Sequence, residues 1–276
     1  MNKIIRRKFK HGIISYYKDD EYIGKSLSQY GEWSESEVEL IKGFLKKNES
    51  IIEVGSNIGT HTIPLAKYIN NGGIVYSFEP QTQNFNLLSK NIKENNIKNV
   101  EIFKTALSSE ESESYINIFD ENKKNNYGDA RISKKKSNNS EKVSVKTIDQ
   151  IFYNLNNTEN LIKLIKCDAQ GEELNIILGA QKTIEKYNPF LYIENDDINS
   201  SKNLIEKIKS YGYVMFWHLP PLFNPKNFLK NSNNVFYNIV SCNMFCIHHT
   251  TKITLNKIWK KFEITNSNFH PFKKVN

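Results

Sequence analysis

Apolar residues along the chain gather into short continuous runs separated by amphipathic stretches, and this alternation predicts strands and helices in turn. Ser50 to Val54, Ile74 to Phe78, Val100 to Lys104, Leu161 to Cys167 and Phe190 to Glu194 read as strands. Their β-branched, unalternating composition suits parallel strands buried on both faces. Between them, residues 34–47, Thr60 to Ile69, Gln81 to Glu94, Glu172 to Tyr187 and Lys202 to Tyr211 read as helices. The first opens with a Ser34-to-Glu37 capping box and sets Val38, Ile41, Phe44 and Leu45 on one face. Phe85, Leu88 and Ile92 form the stripe of a later one. Val214 to His218 and Val235 to His248 read as strands joined by a proline-bearing loop, HLPPLFNPKNF, with no helix between them. Such neighbours should pair antiparallel. The order predicts an α/β fold: a doubly wound, Rossmann-like, mostly parallel sheet with right-handed crossovers, closed by a C-terminal hairpin.

Two segments lack this pattern. Residues 1–33 show no strong period and read as an irregular arm, and 120–142 is a polar, low-complexity tract that reads as a mobile excursion. The expected organisation is an arm at 1–33, one domain over 34–250 and a tail over 251–276. No run of about 18 apolar residues is present to span a membrane. Three cysteines, Cys167, Cys242 and Cys246, fit a reduced compartment better than a disulfide framework, so a cytoplasmic protein is expected. The net charge of +8 raises the question of nucleic acid. Arginine, the preferred phosphate fork, occurs only at Arg6, Arg7 and Arg131. A lysine-rich solvated surface accounts for the charge better, with RRKFK at 6–10 left as a contact for an acidic partner.

The candidate chemistry begins at 51–62, IIEVGSNIGTHT, where a strand breaks into Gly55 and Gly59. Glycines at a strand-to-helix turn let backbone approach a ligand and let the helix pack closely. Glu53 at the strand's end would repel a pyrophosphate but suit a cationic ligand such as S-adenosylmethionine, with its sulfonium and ammonium groups. Glu79, at the end of the second strand, lies 24 residues beyond Gly55, near the roughly 20 expected of a carboxylate that reads ribose hydroxyls. The plainer reading is that both acids cap helices.

With these residues in place the chain resembles the FkbM family of S-adenosylmethionine-dependent methyltransferases. The likeness runs through EVGSNIGTHT (53–62), FEPQ (78–81), the helix end holding Asn91, TALS (105–108), TID (147–149), IKCDAQGEE (165–173), LGA (178–180), PFLYIE (189–194) and Gly212-Tyr213. The resemblance implies a class I methyltransferase sheet of seven strands and methyl transfer to a hydroxyl of a sugar, glycan or other small molecule. It implies further that Glu53, Gly55, Ser56, Asn57 and Gly59 form the methionine side of the cofactor pocket. Glu79 would hold the ribose, Ala106 with Leu107 would border the adenine, and Asp168, at the end of the strand after the insert, would face the cofactor's transferred methyl. The family often carries glutamate where this chain has Gln170.

A hydroxyl acceptor needs a general base or a metal that lowers its pKa. Asp168 is the first candidate base, with Glu173 and Glu194 at neighbouring strand ends as helpers, and no residue pattern calls for a metal. Helix capping is the alternative for Asp168 and Glu173. His61 either touches cofactor or substrate or packs against the sheet. Tyr127, Gly128 and Arg131 would make the 120–142 excursion a lid if it closed over the site. Cys242, Cys246 and His248 alternate on one predicted strand face, where apolar packing outweighs a zinc site. The alternatives carried forward are a nucleic-acid methyltransferase, a catalytically inactive cofactor-binding or scaffold protein, and a nicotinamide dehydrogenase, which Glu53 disfavours.

Overall fold

The structure is a computed structural model that describes residues 4–120, 123–152, 161–255 and 257–273. Its first elements lie in the segment expected to be irregular. Ile4–Phe9 (β1) and Gly12–Tyr17 (β2) form an antiparallel hairpin, followed by the helices Ile23–Tyr30 (α1) and Glu35–Phe44 (α2). The hairpin packs Phe9, Ile14, Tyr16 and Tyr17 against Ile58, Ile63 and Leu87, and two side-chain amides fix its backbone. Asn91 donates to the carbonyls of Ser15 and Ile58 and accepts from Ser15 N–H at 2.7 Å. Asn95 pairs with both backbone groups of Ile13. The expected capping box does not form. Ser34 is left-handed (φ 42) with no side-chain cap, and Glu37 is buried, accepting from Asn243.

The central run follows the sequence reading closely: Ser50–Val54 (β3), Thr62–Tyr68 (α3), Val75–Phe78 (β4), Thr82–Glu94 (α4) and Val100–Phe103 (β5). Gln81 caps α4 by accepting from Asn84 N–H. Four short strands then build a small second sheet, Ala106–Leu107 (β6), Ser112–Asn117 (β7), Ile132–Ser133 (β8) and Ser140–Lys146 (β9), in the order β6-β9-β7-β8. The polar tract is therefore part of the fold over its described residues. Tyr127 is buried and stacks on Tyr17 at 4.0 Å, and its carbonyl accepts from Asn57 and Asn84.

After Ile148–Phe152 (α5) and Ile162–Cys167 (β10), the helix expected over 172–187 is two, Glu173–Leu178 (α6) and Gln181–Tyr187 (α7). The break has a visible cause. A side chain on Gly179 would meet the Ser108 carbonyl at 2.2 Å, and Asp149 takes the Lys182 and Thr183 N–H groups at the start of α7. Phe190–Glu194 (β11), Ile198–Ser210 (α8), Tyr213–His218 (β12) and Asn243–His248 (β13) complete the regular structure of the described residues, with a 3-10 turn at Trp259–Phe262. β13 begins at Asn243 rather than Val235, so Cys242 lies outside it.

The main sheet has seven strands in the order β12-β13-β11-β10-β3-β4-β5. The strands β11, β10, β3, β4 and β5 run parallel, and β13 pairs antiparallel with both β11 and β12. This is the doubly wound, mostly parallel sheet with a terminal hairpin that the order of apolar runs predicts. One face packs Ile52, Val54, Ile165, Leu191 and Met244 against α6, α7 and α8, and the other packs Ile51, Leu164 and Tyr192 against α2 and α3. No helix among the described residues is long and apolar enough to cross a membrane.

Asn91 joins the hairpin, α4 and the turn after β3 through three buried hydrogen bonds. Asn91→Ala should lower stability by about 2–4 kcal/mol, because buried partners are left unsatisfied. Scanning calorimetry should then register a fall in midpoint of roughly 5–10 °C. An unchanged midpoint would mean that the arm contributes nothing to the fold.

Candidate active site

The winding direction of the sheet reverses between β3 and β10, and ligands in such sheets bind beyond the strands' carboxyl ends at that point. A cavity of about 340 Å³ lies there. Strand β3 delivers Gly55, Ser56 and Asn57, β4 delivers Glu79, β10 delivers Asp168, and β11 ends in Glu194. Ala106 and Leu107 line it from β6, His61 from the start of α3, and Asn126, Gly128 and Ala130 from the former excursion.

The glycines act differently from one another. Gly55 has φ 79, and a Cβ there would stand 1.8 Å from the Asp168 carbonyl oxygen, so glycine is required for the β3 turn to pass the β10 loop. Gly59 has φ 91 and fits against Leu88 of α4. Its place is behind the cavity wall, as is that of Glu53. Glu53 is buried, and one oxygen accepts from Thr62 at 2.6 Å and Ser77 at 3.2 Å. Burial raises its pKa, which Lys166 partly offsets. Its other oxygen is buried without a hydrogen-bond partner among the described residues, and the residue does not border the cavity.

Glu79 does face the cavity, and its oxygens accept the N–H groups of Asn57 at 2.9 Å and Gln81 at 3.0 Å. These bonds clamp the β3 turn to the start of α4 and leave further lone pairs for a ligand. Burial pushes its carboxyl up to about 7 against the two amides that favour its charge. His61 is held neutral: burial first, then the charges of Lys166 and His11, depress its pKa well below the usual range. Its Nε2 lies 3.7 Å from Glu37 without a hydrogen bond.

Asp168 and Glu194 meet across the cavity floor through Gln170, whose amide donates to Asp168 at 3.2 Å and to Glu194 at 2.8 Å. Burial, then the charges of Asp168, Asp196 and Glu173, drives the Glu194 carboxyl well above its ordinary range. Glu173 is turned into its own loop, taking the N–H groups of Ala169 and Gly171, and burial pushes it to about 7. It shapes the β10 loop and does not line the cavity. Cys242, Cys246 and His248 do not converge: Cys242 borders the cavity near His270, while His248 pairs with Thr250.

The Methyltransferase FkbM domain matches residues 53–215. The chain belongs to the FkbM methyltransferase family. With the family comes its methyl donor, S-adenosylmethionine. Among solved structures, an FkbM methyltransferase from Methylobacillus flagellatus KT is 16% identical, with a TM-score of 0.47 over 74% of this chain. The chain spans 45% of that protein's length. A precorrin-6y C5,15-methyltransferase from Geobacter metallireducens GS-15 is 10% identical (TM-score 0.47, 76% of this chain and 87% of that one). The M. jannaschii TYW2 in complex with AdoMet is 16% identical (TM-score 0.44, 89% and 86%). No curated protein matches the chain by sequence. The family assignment rests on residues 53–215.

Within this FkbM domain, three further side chains have roles that a sequence reading misses. Lys166 alternates with apolar neighbours and reads as a strand residue, yet the residue is 1% exposed and its ammonium lies 3.7 Å from Asp168. Burial pulls its pKa down, but Asp168, Glu53, Glu37 and Glu194 together carry it above the ordinary value. Gln170, at the place of the family's frequent glutamate, supplies two donors between two acids instead of a third charge. Asn84 lines the cavity almost fully buried, with its Oδ1 lacking a hydrogen-bond partner among the described residues. In sequence it is one more polar helix residue.

Glu79 gives the cofactor-free protein a measurable pH dependence. The folded state keeps a proton that the unfolded chain releases above about 4.5, so this group's contribution is full below pH 4.5 and is lost as pH rises toward 7. Glu79→Gln should flatten the fall in thermal midpoint between those pH values. An identical slope in parent and variant would place the titration elsewhere.

Proposed function

We propose that the chain is an S-adenosylmethionine-dependent O-methyltransferase acting on an uncharged hydroxyl of a sugar, glycan or other small molecule. The observation that carries this reading is the residue make-up of the cavity wall. Glu79, Asp168, Glu172, Glu194 and Asp196 line it, and no lysine or arginine does among the described residues, in a chain of net charge +8. Such a wall attracts a sulfonium donor and repels phosphate.

Asn57, Glu79, Asn84, Ala106 and Leu107 fit a nucleoside: Glu79 offers lone pairs to vicinal hydroxyls, Asn84 an unused acceptor, and the β6 pair an apolar edge. S-adenosylmethionine supplies an electrophilic methyl group when bound there. The chain's own residues then have to orient the acceptor hydroxyl and take its proton. Asp168 suits that task because Gln170 and Lys166 hold its carboxylate in place beside Glu194. Positioning of the reactants contributes a large share of the acceleration in such a displacement. An RNA or DNA acceptor would bring phosphates to a wall of carboxylates, so no observation favours that reading.

Asp168→Asn should lower turnover by about 10²–10⁴-fold, the usual worth of a general base. Calorimetry should find its S-adenosylmethionine affinity within a few-fold of the parent. Unchanged turnover would reduce Asp168 to a structural acid. A screen with tritiated donor should label neutral glycosides and leave RNA unlabelled; the reverse pattern would overturn the acceptor reading.

Gln170→Glu tests the floor separately. A third carboxylate between Asp168 and Glu194 favours protonation of the set, so the acidic limb of the pH–rate profile should move to higher pH. A profile that stays in place would mean that Gln170 does not contact the reacting acids.

A further inference from the structure

The cavity has two sides of different origin. The side formed by Gly55 to Asn57, Glu79, Ala106 and Leu107 belongs to the FkbM domain. The facing side is built by Tyr22, Trp33, Leu222, Ile239 and Phe272, all outside residues 53–215. Three segments contribute them: the chain around α1, the loop between β12 and β13, and the C-terminal tail.

These segments are held firmly. Glu32 accepts from Asn224 at 2.6 Å and from Phe228 N–H at 2.9 Å, and the Tyr30 hydroxyl both donates to the Asn233 carbonyl and accepts from Val235 N–H. The arm and the late loop thus form one unit. The tail joins the edge of the sheet, where Ile264 N–H donates to the Met215 carbonyl, and then crosses to the cavity mouth. There His270 is 3% exposed and packs edge-on against Trp217. Its Nδ1 accepts from Phe272 N–H at 3.1 Å, so Nε2 carries the ring proton and donates to the Asn195 carbonyl at 2.9 Å. That clamp sets Phe272 beside the loop that carries Asp196.

The chemistry of this half is specific. It offers aromatic and aliphatic faces alongside Asp168, Glu194 and Asp196, with no lysine or arginine among the described residues. Carboxylates accept from hydroxyl groups, and apolar ring faces pack on aromatic rings. We propose that these three segments form the acceptor subsite for an uncharged, hydroxyl-rich ring compound. Phe272 is its specificity-determining wall, and His270 is the positioning residue that holds Phe272 in place. The proposal rests on the methyltransferase reading above.

The test uses the full chain loaded with S-adenosylhomocysteine and two matched probes, phenyl β-glucoside and its 6-phosphate, followed by saturation-transfer NMR titration. Calorimetry with S-adenosylmethionine is run first, and failure of the parent to bind it defeats the methyltransferase reading rather than the subsite. With the donor bound, the neutral probe should bind and the phosphate should bind more weakly. Phe272→Ala should weaken the neutral probe about tenfold, as loss of a packed aromatic face does, while donor affinity stays within about twofold. His270→Ala should weaken it in the same direction, and the double variant should be no worse than Phe272→Ala alone, which a general loss of structure would not produce. Tighter binding of the phosphate, no binding of either probe, an unchanged affinity in Phe272→Ala, or additive losses in the double variant would each overturn the proposal.

Discussion

A single buried ammonium ties this molecule together. Lys166 sits mid-strand on β10, and across the ladder it faces Glu53 on β3 and Tyr192 on β11. Burial alone would strip its proton. It keeps the charge because carboxylates arrive from four directions: Glu53 from the neighbouring strand, Glu37 from α2, Asp168 from its own strand's end and Glu194 from β11. Those acids need the ammonium equally, since a buried carboxylate without a partner is strongly disfavoured, and removing one member of such a set typically costs about 3–5 kcal/mol. Helix α2, the central strands and the cavity floor are thereby joined through one group that does not border the cavity.

This arrangement explains how so basic a chain presents so acidic a cavity. The lysines that give the chain its charge are largely at the surface, where solvent and salt screen them. Within the fold the balance is reversed. Among the described residues, acids outnumber the one buried ammonium, and burial raises the carboxyls of Glu79, Glu173 and Glu194. The site therefore combines fixed negative charge with groups able to hold or release a proton.

The strands that build the sheet were legible because each is a short apolar run between turn residues, and their order is preserved from β3 to β11. The positions of Gly55, Asn57, Glu79, Asp168 and Glu194 at strand ends were legible for the same reason. What was not legible depends on contacts between distant residues. Asn91 and Asn95 fix the backbone of the amino-terminal hairpin through side-chain hydrogen bonds, which leave no hydrophobic period. Glu53 carries a charge that suggests a ligand contact, yet in the structure one of its oxygens is taken by Thr62 and Ser77 and the residue does not border the cavity, which a strand whose two faces are both buried does not reveal. Glu173 looked like a catalytic neighbour of Asp168 and instead closes its own loop. The tail's return to the cavity mouth could not be read at all, since it turns on His270 finding the Asn195 carbonyl.

Gly55 illustrates how such a structure distributes its vulnerability. No side chain is present at that position to bind or react, but the Asp168 carbonyl passes through the space a Cβ would occupy. In a saturation scan for activity, every substitution at Gly55 would therefore score alongside the reactive residues. The pattern would invite a chemical role for a position whose whole contribution is to let two backbones cross.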